Sequence, residues 1–104
     1  MRITFQLWHR SQPTFSAVNT LPSDLNVDYT HMCDLSEAVE DTSDYEIQCA
    51  LERCFVITQN PTKEYKGRST SVGDLLVATN YLDVATDVYV VHSIGFRKLY
   101  ASTI

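Results

Sequence analysis

Two uninterrupted apolar runs, Leu75-Leu76-Val77-Ala78 and Val88-Tyr89-Val90-Val91, constrain the fold of this chain more than any other feature. Runs of this length suit strands covered on both faces, although periodicity by itself also allows a short buried helix. The punctuation around them favours strands. Val72-Gly73-Asp74 precedes the first run, and it can turn the chain because Gly tolerates positive φ and Asp hydrogen-bonds its own backbone. Gly95 before Phe96 predicts a bulge or bend that re-aims a last strand, Phe96 to Tyr100. Residues 67–100 therefore specify a fold and say little about an activity.

Upstream, Arg2 to Trp8 alternates, with Ile3, Phe5 and Leu7 on one side and Arg2, Thr4 and Gln6 on the other, as in a half-buried strand. Residues 11–28 space turn formers among single apolar anchors. A connection of that length is uncommon in a compact domain, so either a short helix lies near Pro22 to Asn26 or the loop is functional. Tyr29 to Leu35 reads as a further strand of open register.

The principal helix starts at Ser43. Ser43-Asp44-Tyr45-Glu46 fits a capping box in which the Ser43 hydroxyl meets the Glu46 N–H and Glu46 reaches back. Ile47, Ala50, Leu51, Cys54 and Phe55 fall on one stripe, and Asn60-Pro61 is the predicted stop. A shorter helical turn over Ser36 to Glu40 precedes it in this reading. The expected architecture is a single α+β domain over residues 1–104. Its four- to five-stranded antiparallel or mixed sheet carries one principal helix on a face, with the other face partly covered by residues 11–28.

With 44% hydrophobic and 20% charged residues, the chain groups with globular rather than disordered proteins. Its apolar runs are far shorter than the ~20 residues of a membrane helix, and the first residues lack the pattern of a secretory signal. Cys33, Cys49 and Cys54 form no CxxC pair, which predicts reduced thiols and a cytoplasmic setting.

The net charge of -5 is unevenly spread. Between Ser11 and Glu52 there are nine acids and no Lys or Arg, whereas the remainder holds all eight basic residues and four acids. Phosphate contacts need Lys and Arg, so the middle segment is a poor nucleic-acid ligand and a good match for a basic partner.

The phrase GRSTSVGDLLV followed by VYVVHSIGFRKL resembles the signature of YodL-like small proteins and domains, and the helical segment ALERCFVITQN fits the same layout, over about residues 45–100. Such proteins occur on phages, plasmids and other bacterial mobile elements and have no established general activity. The resemblance implies a setting, an accessory protein of a mobile element, and a set of structural signature residues: Arg68, Ser71, Gly73, Asp74, Gly95 and Phe96. It assigns no catalytic residue and no role to His92.

The chemistry-bearing residues divide into weak and strong candidates. His9, His31 and His92 show no metal-ligand spacing, and a zinc site would require them to meet Cys33 in three dimensions. Ser69, Thr70 and Ser71 form no nucleophile elbow, and Gly67 to Gly73 lacks the Lys of a phosphate loop. Neither catalysis nor a metal or cofactor is expected. Arg68 and Asp74 can pair across the turn, for burial or for binding. The sharper feature is the acidic middle, either a solvated face or an interaction surface built from Asp34, Glu37, Glu40, Asp41, Asp44 and Glu46. The expected function is binding of a host protein with a basic surface, as an acidic inhibitor of a host defence or nucleic-acid enzyme. The alternative is a nucleic-acid-binding module using the basic loop 63–68 and the C-terminal strand, with Lys63, Lys66, Arg68, Arg97 and Lys98 beside Tyr65 and Tyr100.

Overall fold

The computed structural model describes residues 2–11, 25–41, 43–59, 69–79 and 87–99. In chain order these form β1 (Arg2–Arg10), α1 (Leu25–Asp28), β2 (Tyr29–Ala38), α2 (Asp44–Ile57), β3 (Leu75–Thr79), β4 (Asp87–Val91) and β5 (Phe96–Leu99). The five strands make one sheet in the order β2-β1-β3-β4-β5, and each neighbouring pair is antiparallel. The architecture is α+β, with one principal helix on a sheet face.

The alternation of β1 sets the two faces. Ile3, Phe5 and Leu7 are fully buried and pack with Leu76, Ala78 and Tyr89 of the central strands against Ile47, Ala50, Leu51 and Cys54 of α2. The opposite face holds Leu75, Val77, Val88, Val90 and Leu99 with Tyr29, and Leu25 and Trp8 pack against it. Two covered faces explain the uninterrupted apolar runs of β3 and β4, because neither side of these strands meets water. Only Leu25 to Asp28 and Ser11 of the 11–28 segment are described, and α1 is a short helix that overlaps the expected one at Leu25 and Asn26.

Three local expectations need correction. Ser36 to Ala38 is strand rather than helical turn, because Ser36 pairs with Thr4 and Ala38 with Arg2, and the Arg2 guanidinium donates to Ser36 Oγ at 3.0 Å. The capping box is half formed. Ser43 Oγ accepts from the Glu46 N–H at 3.4 Å, but Glu46 Oε1 accepts from the Glu40 N–H at 2.8 Å, and the Ser43 N–H donates to Asp41 Oδ1 instead. Helix α2 stops at Ile57, ahead of Pro61, where the Thr58 hydroxyl donates back to the Cys54 carbonyl at 2.9 Å. Gly95 forms the expected bend into the last strand, where it closes the hairpin between β4 and β5 with φ of 72° and the His92 N–H donating to its carbonyl at 3.0 Å. The one register irregularity among these pairings lies between Leu7 and Trp8 of β1, where Met32 of β2 is the extra residue.

The turn before β3 forms as its residues predict. Gly73 has φ of 98°, and the Asp74 N–H donates to the Ser71 carbonyl at 3.1 Å. Gly73→Ala should therefore destabilise the fold by about 1–2 kcal/mol in a urea melt, since an L side chain is strained at that φ. Gly95→Ala should cost less, because its φ is nearer the left-handed minimum and an added Cβ meets nothing within 4 Å. A stabilised Gly73→Ala protein would contradict the turn.

Candidate partner-binding surface

Asp74 anchors a buried polar cluster among the described residues. Asp74 is only 1% exposed. Its Oδ1 accepts from the Arg10 N–H and its Oδ2 from the Ser71 N–H, each at 2.8 Å. Nearby, His9 Nε2 lies 3.0 Å from Thr70 Oγ1 and 3.9 Å from Asp74 Oδ2. The Thr70 N–H donates to the Thr58 carbonyl, and the Gln59 side chain donates to the Thr70 carbonyl at 2.9 Å. This cluster joins the end of β1, the end of α2 and the turn into β3.

A histidine, a hydroxyl and a carboxylate resemble a hydrolytic triad, but the geometry differs. In a triad the two imidazole nitrogens divide the work between nucleophile and carboxylate. Here the same nitrogen faces both partners, and His9, Thr70 and Asp74 are each at most 3% exposed. The arrangement supplies partners for the buried Asp74 carboxylate and for Thr70, which would otherwise be costly to bury. Of the other signature residues, Ser71 and Gly73 shape the turn, Gly95 the hairpin, and Phe96 packs edge-on to Phe55 with ring centroids 6.1 Å apart. Arg68 lies outside the described residues, so the expected pairing with Asp74 does as well.

The inward position of His9 follows from continuing the Ile3, Phe5, Leu7 alternation by one step. Among the described residues, no three His, Cys, Asp or Glu side chains gather as metal ligands. Cys54 is buried in the core, and burial pushes its thiol up to about 12, so it is no nucleophile at neutral pH. Burial also raises the half-buried Cys33.

The six acids of the candidate surface separate. Register places Asp34 opposite Gln6 and Glu37 opposite Ile3, so the two carboxylates project from opposite faces of β2. Asp34 is exposed and lies 2.7 Å from His31 Nε2, on the face where His31 contacts the Trp8 ring. Glu37 turns towards α2 and meets Arg53 Nε at 3.5 Å, with 14% of its side chain exposed. Glu37, Glu40 and Glu46 line one shallow depression with Arg53, whose guanidinium also donates to the Ala38 carbonyl at 2.9 Å. Asp41 stands at its margin, and hydrogen bonds from the Ser43 hydroxyl and N–H hold its carboxyl below the usual carboxylate range. Asp44 is exposed at the start of α2 and lines a second groove with Gln48, Phe96 and Lys98. The corner between β2 and α2 therefore gathers Glu37, Glu40, Asp41 and Glu46, with Asp44 adjacent and Asp34 apart.

Arg53, the residue directly after the acidic span, was not among the predicted site residues. Only the fold reveals that it answers Glu37. Of the basic alternative, Lys63, Tyr65, Lys66, Arg68 and Tyr100 lie outside the described residues. Arg97 and Lys98 are consecutive in β5 and so point to opposite faces, and Lys98 Nζ is 3.3 Å from Asp87. No helix among the described residues is long and apolar enough to cross a membrane. No protein family, curated protein or solved structure matches the chain.

Proposed function

We propose that this protein is a small cytoplasmic accessory factor of a phage or other mobile element. It acts without catalysis by binding a host protein with a basic surface, as an acidic inhibitor of a host defence or nucleic-acid enzyme. The observation that carries this reading is the β2–α2 corner, where Glu37, Glu40 and Glu46 line one depression with Arg53 and Asp41 follows directly after Glu40. Exposed carboxylates of one sign raise the encounter rate with a basic partner and repel nucleic acid. The mobile-element setting comes from the GRSTSVGDLLV and VYVVHSIGFRKL phrases.

The test begins with a partner captured from a bacterial host lysate and compares wild type with Glu40→Lys/Asp44→Lys. Glu37 is left intact because its contact with Arg53 belongs to the fold. The double variant should associate about ten-fold more slowly while remaining folded, since exposed substitutions usually change stability by within ±0.5 kcal/mol. Wild-type affinity should also fall with added salt, as exposed charges are screened over about 8–10 Å near physiological ionic strength. Equal binding by the variant at every salt concentration would overturn the reading. Loss of binding in Lys66→Glu/Arg68→Glu alone would move the function to the basic loop.

A further inference from the structure

We propose that the outer edge of β2 receives an extended, Lys/Arg-rich segment of the partner as a sixth strand; this rests on the acidic-surface reading above and specifies how the partner docks. β2 is a sheet edge, and among the described residues it pairs only with β1. It runs for ten residues, Tyr29–Ala38, whereas the opposite edge strand β5 has four. Strands average about 5–6 residues, and short edges are one guard against unwanted pairing that β2 does not use. Its side chains are mostly exposed from Thr30 to Ala38, and a strand flanked on both edges and covered on both faces would not be.

Charge identifies the occupant. Beyond the irregularity at Met32, the regular stretch Cys33 to Ala38 presents exposed Asp34 on one face; on the other, Glu37 is met by Arg53 at 3.5 Å, and Glu40 and Asp41 follow the end of the strand. A second copy pairing there would bring acids against acids, which disfavours self-association along this edge. A segment with basic residues on both of its faces meets opposite charge on each, while main-chain hydrogen bonds supply the common affinity of strand addition. The irregularity falls before Cys33, Arg53 occupies the Ala38 carbonyl at 2.9 Å, and Arg2 reaches the Ser36 carbonyl with a longer contact of 3.4 Å, so docking is confined to about the Cys33–Glu37 stretch and competes there only with the Arg2 contact.

The probe is an eight-residue peptide of the repeat Lys-Lys-Val-Thr, which places lysine on both faces of a strand, compared with the same sequence N-methylated at every backbone nitrogen. Charge and side chains are retained in the second peptide, but its main-chain donors are gone. The unmodified peptide should bind the full chain at least ten-fold more tightly, and hydrogen exchange at outward amides within residues 33–37 should slow at least ten-fold. Equal affinities without added protection would overturn strand addition, as would failure of both peptides to bind. The Glu40→Lys/Asp44→Lys protein separates the two ideas. If it weakens both peptides equally and β2 stays unprotected, the acidic surface stands and the sixth strand falls. If it binds the unmodified peptide as tightly as wild type, with β2 protected, the edge stands and the acidic surface falls.

Discussion

Asp74→Ala should lower the unfolding free energy by about 2–5 kcal/mol, a loss as large as emptying part of the core. The carboxylate is 1% exposed and accepts from two backbone N–H groups, those of Arg10 and Ser71, at 2.8 Å each. Alanine supplies no acceptor, and each part-buried donor left without one costs up to about 1–3 kcal/mol. The two donors belong to segments far apart in sequence, so the variant loosens the turn and its attachment to β1 together. Asp74→Asn retains a single carbonyl oxygen and brings an NH2 against the second donor; its loss should be intermediate. Denaturant melts of the three proteins at neutral pH give the comparison. A change below about 0.5 kcal/mol in Asp74→Ala would mean that the turn does not depend on this side chain.

Leu51→Ala should cost about 2–5 kcal/mol for a different reason. Leu51 has no exposed surface and belongs to the cluster formed by α2 with Ile3, Phe5 and Leu7 of β1 and Leu76 of β3. Truncation loses the transfer free energy of the side chain and leaves a cavity that its neighbours fill only partly. Val56→Ala on the same helix is the control. Val56 is 66% exposed, so its truncation should stay within about 0.5 kcal/mol. Similar losses at the two positions would show that α2 presents another face to the sheet.

Much of this arrangement was legible along the chain, for reasons that differ by residue. Ile3, Phe5 and Leu7 declare a half-buried strand because side chains alternate at every step, and Ile47, Ala50, Leu51 and Cys54 declare a helix because one face recurs every three to four residues. Gly73 announces its turn because few other residues accept its φ. Ser36 to Ala38 misled because a short polar stretch carries no period of its own. Its state depends on Arg2 and Thr4, which lie more than thirty residues away.

The candidate surface divides along the same line. The sequence by itself determined the α+β class, the strand and helix faces and the confinement of nine acids to one span, since period, turn chemistry and charge are local properties. Only the tertiary structure decided that Glu37 turns inward to Arg53 while Asp34 joins His31 on the other face. It also decided that Asp74 holds β1 to the turn, and that β2 lies at the edge of the sheet among the described residues. Pairing between distant segments is set by which surfaces bury together, and no local pattern encodes the partner each one meets.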